Sequence, residues 1–225
     1  MTRTLAFAAL LSFVPLSAHA TVTRAIEFEN KVSDAAAIVV GKCVAQESRW
    51  NDTREWILTY STFQVEKTLK GQPAQQITLV TAGGTVDNIT QDVIGVPKFQ
   101  PGEENVVFVR NSQAGPTVLY LEQGNYKLHK DDRGDRIVEP AITTAVMMDT
   151  GRGTAVRAEE PRQLREFESA VRDSVRRREV MRMEMIERQK QEQASLWNQI
   201  QRNRVLVALA VLGILLATWQ FAKRS

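Results

Sequence analysis

Three features of this chain carry side chains able to do more than pack or be solvated: Cys43, His129 and the acidic run Asp131-Asp132-Arg133-Gly134-Asp135. A cysteine is a nucleophile only as the thiolate, which needs a nearby cation or helix N-terminus. A histidine works as a general base only when a second group orients it. The other histidine, His19, lies in an N-terminal segment expected to be removed, so His129 and Cys43 stand alone. One chain therefore supplies neither a zinc site of the usual kind nor an internal disulfide. Cys43 sits inside an expected strand, where a buried, inert thiol is the ordinary outcome. An intermolecular disulfide in an oxidising compartment is the rival reading. His129 falls near a hairpin end and reads as a surface residue.

The acidic run lacks the ligand spacing and terminal Glu of a calcium loop, and a hairpin turn accounts for it. The Arg133-Gly134-Asp135 tripeptide inside it is absorbed by the same turn. Asn51-Asp52-Thr53 and Asn88-Ile89-Thr90 fit the glycosylation sequon, which matters only where the secretion system glycosylates. Gly83-Gly84 is not followed by the helix and Lys-Ser/Thr of a phosphate loop. These readings point to a protein that is not an enzyme, with no catalytic residue, no metal and no cofactor.

The elements that would position a site begin with the two ends. Arg3, the apolar run Leu5 to Leu16 and the small-x-small site Ala18-His19-Ala20 read as a signal peptide over residues 1–20, cleaved before Thr21. Residues 205–222 are almost wholly apolar, between Arg202 and Arg204 on one side and Lys223 and Arg224 on the other. This length is near the lower end of the roughly 17–25 residues that cross a hydrocarbon core. A single transmembrane helix follows, with Trp219 at headgroup level and residues 223–225 as a cytoplasmic tail. Gly213 and Ala217 form one small-xxx-small pair that would let two anchors approach. The bulk of the chain is then extracytoplasmic, periplasmic in a Gram-negative cell, and single-pass at the cell membrane.

Residues 21–140 have period two and frequent turns. Ala36–Val44, Glu55–Leu69, Gln76–Thr81, Asn105–Arg110, Thr117–Leu121, Asn125–His129 and Arg136–Glu139 read as strands. In the long second strand Trp56, Leu58, Tyr60 and Thr62 fall on one side, and Ile57, Thr59, Phe63 and Val65 on the other. The two runs flanking Gly124 are expected to pair as a hairpin. The fold class is mainly β: a small antiparallel Greek-key, OB-like barrel, then a long helical stalk and one transmembrane helix. Residues 141–160 form the linker, flexible around Thr150-Gly151-Arg152-Gly153-Thr154. The stalk covers residues 161–204, opened by Pro161. Its stripe Leu164, Phe167, Val171 and Val175 is fit to dock on the barrel. Beyond Arg176 the apolar positions are sparse and no a/d heptad is sustained. A helix from Arg176 to Arg204 would be about 40 Å long.

The formal net charge is +3, and its distribution says more than its total. Residues 21–140 hold 13 basic and 16 acidic side chains, residues 141–225 hold 15 and 10. A basic face with interleaved aromatics is missing from the folded part, which argues against nucleic acid. The arginine excess near the membrane could meet anionic lipid or an acidic partner, or solvate a helix.

Ser33-Asp34-Ala35-Ala36-Ala37-Ile38-Val39-Val40-Gly41-Lys42, Tyr60 to Lys70-Gly71, Ile77 to Thr81-Ala82-Gly83-Gly84, and Phe99-Gln100-Pro101-Gly102-Glu103 before Val106-Val107-Phe108 form an ordered series. The series resembles the tissue-inhibitor-of-metalloproteinases and netrin-module group of OB folds, and uncharacterised bacterial exported proteins of similar pattern, over about half of the chain. The resemblance implies a five-stranded Greek-key barrel. That family's inhibition uses a cysteine at the mature N-terminus. The expected mature start here is Thr21, and Cys43 alone cannot make the family's disulfides.

The expected function is that of a membrane-anchored extracytoplasmic binding or regulatory protein. Its head would recognise a protein partner in the cell envelope, a protease among the candidates. Candidate contacts are Arg49, Trp50 and Arg54 in the first long loop, and Asp87 and Phe99 in the loop 85–99. Trp50 has an equally good reading as a cap on the barrel. The alternative is a structural subunit assembled through the Arg-rich stalk, a homo-oligomer among its forms, with Met181, Met185 and Trp197 as the contact stripe.

Overall fold

The computed structural model describes residues 21–142, 145–149, 154–155 and 159–223. The expected signal peptide, most of the Thr150–Thr154 connector and Arg224 lie outside the described residues. The chain divides into two units, residues 1–168 and residues 169–225.

In chain order the first unit contains β1 (Thr21–Arg24), α1 (Phe28–Asp34), β2 (Ala37–Trp50), β3 (Ile57–Lys70), β4 (Gln76–Ala82), β5 (Gly84–Val86), β6 (Ile89–Gln91), β7 (Glu104–Ser112), β8 (Gly115–Val118), β9 (Asn125–Lys130), β10 (Arg136–Pro140), β11 (Ala145–Asp149), β12 (Thr154–Ala155) and β13 (Arg162–Gln163). The main sheet runs β13-β10-β9-β7-β2-β3-β4, with β8 on β7. β5 and β6 form a separate hairpin, and β1 lies parallel to β11, with Thr21 opposite Ala145.

The mainly β reading holds, but the expected closed barrel does not: the sheet is open, with β13 and β4 at its ends. β8 reaches the vicinity of β4, where a Cβ on Gly115 would meet Val80 at 3.5 Å. Among the described residues no ladder joins the two strands, so the gap stays unzipped. The pairing of β2 with β3 shifts register at Ile38/Val39, Val40/Gly41 and Cys43/Ala45, irregularities of the kind that twist and bend paired strands.

β3 keeps its sequence alternation, with Ile57, Thr59, Ser61 and Phe63 all buried. Ala37 to Gly41 of β2 are buried without alternation, as expected of a strand covered on both faces. On one face Val39, Cys43, Phe63, Leu79, Phe99 and Val107 form a core. Elsewhere Phe28, Phe108, Tyr126 and Phe167 meet edge-on or tilted, with centroids 5.0–6.2 Å apart. Cys43 is fully buried and burial raises its pKa, so the thiol is inert and out of reach of a second chain.

The expected Gly124 hairpin is not formed. β8 pairs with β7, while β9 pairs with β7 and β10. Leu119 N donates to Phe108 O, and the chain then turns through Tyr120 and Leu121, both at positive φ, into a 3-10 turn, Leu121–Gly124. Asp131 Oδ1 accepts the amides of Arg133 (2.9 Å) and Asp135 (2.8 Å), which explains the acidic run as turn chemistry.

α1 was not visible in the sequence, and its C-terminus is held by a residue of β3. Lys70 Nζ donates to the carbonyls of Val32, Ser33 and Ala35 at 2.7–2.8 Å, a distant side chain doing the work of a C-cap. Gly71 follows at φ +79°, where a Cβ would lie 2.5 Å from Ala36 O. Lys70→Met is expected to cost about 2 kcal/mol of stability through lost charge-assisted bonds and unsatisfied carbonyls. Urea denaturation of the full chain checks it.

The expected start of the stalk at Pro161 is also corrected. Arg162 and Gln163 are strand, pairing with β10, and the helix α2 begins at Leu164 and runs to Arg202. Phe167 and Glu168 still belong to the first unit, Glu168 forming an ion pair with Lys67 at 2.6 Å. In the second unit α2 is followed after Asn203 by α3 (Arg204–Ala222). Asn203 N donates to Gln199 O at 3.2 Å, so helical bonding reaches the junction. Among the described residues no helix is long and apolar enough to cross a membrane. Side chains at several α3 positions are outside that set, so the anchor expected over residues 205–222 rests on its sequence.

Candidate binding site

The loop that joins β2 to β3 is shaped by Asn51, whose Oδ1 accepts the amides of Glu55 (2.9 Å) and Trp56 (3.1 Å). Its N–H donates to Trp56 O at 2.8 Å, and Arg54 takes a positive φ of 56°. Arg49 is exposed, with its guanidinium 3.9 Å from the centroid of the Tyr60 ring. Trp50 is half-buried. Asp87 and Asn88, at φ 48° and 63°, make the two-residue turn between β5 and β6, as the primed hairpin turns require.

Gln91 joins the two loops. Its Oε1 accepts Ile57 N at 2.7 Å and its Nε2 donates to Glu55 O at 3.2 Å. Arg54 and Asp87 are thus carried by turns tied at one end of the sheet, whereas Arg49 and Trp50, expected in the first long loop, are the last two residues of β2, paired with Leu58 and Ile57. Phe99 is different: it is 2% exposed and meets Phe63 edge-on at 4.9 Å, so it belongs to the core and not to a contact surface. Trp56, Ile89 and Ile94, each about half exposed, are apolar side chains of these segments that sequence reasoning passed over. In the sequence, Trp56 is one position of an alternating run and carries no further signal.

A cleft of about 380 Å³ opens beside them, between the β2-β3-β4 strands and the segment 92–100. Its floor is a chain of hydroxyls. Thr59 Oγ1 donates to Gly83 O at 2.6 Å and lies 2.8 Å from Ser48 Oγ. The single Thr59 proton is committed to the carbonyl, so Ser48 is the donor of the second bond and keeps its oxygen as an acceptor. A Cβ on Gly84, at φ +137°, would collide with both hydroxyls. Gln46 Nε2 fixes the opposite wall by donating to Phe99 O at 2.8 Å. Lys98 and Asp92, both lining the cleft, pair at 2.8 Å. The one sequence signal for this cleft was Gly83-Gly84.

A second cluster is buried and inward-looking. Lys31, its side chain 4% exposed, donates to Tyr126 Oη at 2.5 Å and Gln123 O at 3.3 Å, and pairs with Glu159. Tyr126 donates to the same carboxylate at 3.1 Å, and Arg162 pairs with it at 3.4 Å. Burial lowers the Lys31 pKa, with Glu159 acting in the opposite sense, and burial holds Tyr126 well above the ordinary phenol range. All three ammonium protons of Lys31 have acceptors, so the amine is a structural cation and not a nucleophile.

His129 is exposed on β9, opposite Ile137. Among the described residues no group of three metal-ligating side chains comes together. In the second unit Met181, Met185 and Trp197 are each more than 60% exposed. Trp219 is 58% exposed, with Lys223 Nζ 4.2 Å from the centroid of its ring.

No family model, no curated protein and no solved structure matches this chain.

Proposed function

We propose that this chain is a membrane-anchored, extracytoplasmic binding or regulatory protein whose β unit recognises a protein partner in the cell envelope. The observation that carries the reading is the loop end tied by Gln91. There the exposed apolar side chains Trp56 and Ile89 and the exposed Arg49 sit beside a preformed cleft. Tryptophan and arginine are the residues that most often dominate binding energy at protein interfaces. The anchor is proposed from α3, whose 19 residues would span about 28 Å, close to a hydrocarbon core of about 30 Å. The basic residues Arg202, Arg204, Lys223 and Arg224 flank it. The resemblance to protease-inhibitor OB folds makes an envelope protease one partner to look for.

The second reading is a structural subunit joined to a membrane complex through α2. It is favoured by the large apolar side chains Met181, Met185 and Trp197 left exposed on a helix rich in charged residues. One experiment separates the two. Affinity capture of the full chain from its own membrane is compared with Trp56→Ser combined with Ile89→Ser, and with Met181→Ser, Met185→Ser and Trp197→Ser combined. Loss of partners in the first variant alone supports the binding head. Loss in the second alone moves the function to the helix.

A further inference from the structure

Beyond the loops, the cleft itself has a composition that selects among ligands. Ser48, Thr85, Thr90 and Gln100 give it hydroxyls and an amide; Thr85 and Thr90 share one bond at 2.8 Å, which leaves the pair one proton and lone pairs for a ligand. Among the described residues its one cation, Lys98, is matched by its one carboxylate, Asp92, so the lining carries no net charge that would select a phosphate or a charged side chain. The aromatic residue among its lining, Phe99, is 2% exposed, so no ring face is presented for stacking of a base or sugar. What remains is a groove suited to uncharged, hydrogen-bonding chain.

We propose that this cleft binds an extended, uncharged stretch of polypeptide, whose main-chain N–H and C=O groups meet the hydroxyl and amide rows on its two walls. The proposal rests on the binding-head reading and specifies where a partner's chain lies. Ser48 supplies an acceptor for a ligand N–H, because Thr59 has already spent its only proton on Gly83 O. Both walls are fixed beforehand. Gln46 holds the carbonyl of Phe99, Gln91 holds the β5-β6 hairpin to the β2-β3 turn, and Gly84 lets the chain close over the hydroxyl pair. Such preorganisation lowers the ordering cost of binding. The volume is at the lower end of the roughly 300–1,000 Å³ of ligand pockets, enough for a few residues. The mode is main-chain recognition with shallow specificity, the logic of peptide capture on β structure.

The test pans a phage-displayed library of random short peptides against the full chain in detergent micelles. The enriched peptides, and chitotetraose in parallel, are then titrated into isotope-labelled chain while the amide signals of Thr85, Thr90 and Gln100 are followed. The expected result is enrichment of sequences poor in Asp, Glu, Lys and Arg that shift those signals. Their affinity should fall roughly tenfold or more in the variant Thr90→Glu with Gln100→Glu, at unchanged melting temperature, both residues being on the rim. No enrichment, enriched peptides that leave those signals unmoved or bind the variant equally well, or chitotetraose occupying the cleft instead, would overturn it. If membrane capture keeps its partner in the Thr90→Glu, Gln100→Glu variant and loses it in the Trp56→Ser, Ile89→Ser variant, the cleft assignment fails while the binding head stands.

Discussion

Glu159→Ala in the full chain is expected to destabilise the β unit by about 3 kcal/mol, the lower part of the range of about 3–5 for breaking a buried ion pair. The lower figure applies because Glu159 keeps a 25% exposed side chain, whereas Lys31 is nearly sealed. The cost arises from the ammonium left behind, with Tyr126 and Gln123 as remaining acceptors. Replacing both partners, Lys31→Met with Glu159→Leu, is expected to restore most of the loss, since apolar pairs often match a buried ion pair. Urea denaturation gives both values, and equal losses in single and double variants would show that the charge is not the cause. The pH dependence has a definite sign. Lys31 has a lower pKa folded than unfolded, so stability rises with pH between the two values. Tyr126 has a folded value raised well above its unfolded 10, so stability falls as pH climbs past the unfolded value. Tyr126→Phe should abolish that alkaline fall.

Phe167→Ala is expected to cost about 3–5 kcal/mol, as deletion of a fully buried ring does. Phe167 has no exposed surface and meets Tyr126 at 5.0 Å and Phe28 at 5.3 Å, both edge-on. It stands in the first turn of a helix whose large apolar side chains from Val180 onward are exposed, so a control on the same element is available. Met181→Ala, at a side chain 61% exposed, should change stability by no more than about 0.5 kcal/mol. Thermal melting of the two variants in micelles would distinguish them, and similar melting temperatures would mean that the first turn of α2 adds nothing to the β unit.

The sequence made the faces of β3 legible because alternation and burial share a period of two, and Ile57, Thr59 and Phe63 point where that pattern puts them. It did not reveal α1, seven residues with no room for a helical repeat, whose last carbonyls are bound by Lys70 from β3. It misread Phe99. An aromatic just before Pro-Gly looks like loop, yet contact with Phe63, far away in sequence, draws it inside. The hairpin at Gly124 failed for a related reason: strand pairing is decided by competition, and β7 offered both β8 and β9 a partner. Arg54 and Asp87 were recognisable as loop residues from their turn-rich surroundings, whereas Arg49 and Trp50 extend β2, because Leu58 and Ile57 across the ladder pair with them. The cleft was not, because its floor depends on the hydroxyls of Ser48 and Thr59 and the carbonyl of Gly83, which share no local motif.

The seat of Lys70 and Gly71 bears on how distant kinship is judged. Both residues are explained by local architecture: an amine that finishes a short helix and a glycine that lets two backbones touch. Any chain that brings such a helix to the end of a long strand faces the same two demands, whatever it has been selected to bind. The Lys-Gly pair is therefore a mark of shape. Shared between two sequences, it argues for a common scaffold, while evidence of shared activity has to come from the rims and loops, where nothing in the scaffold dictates the residue.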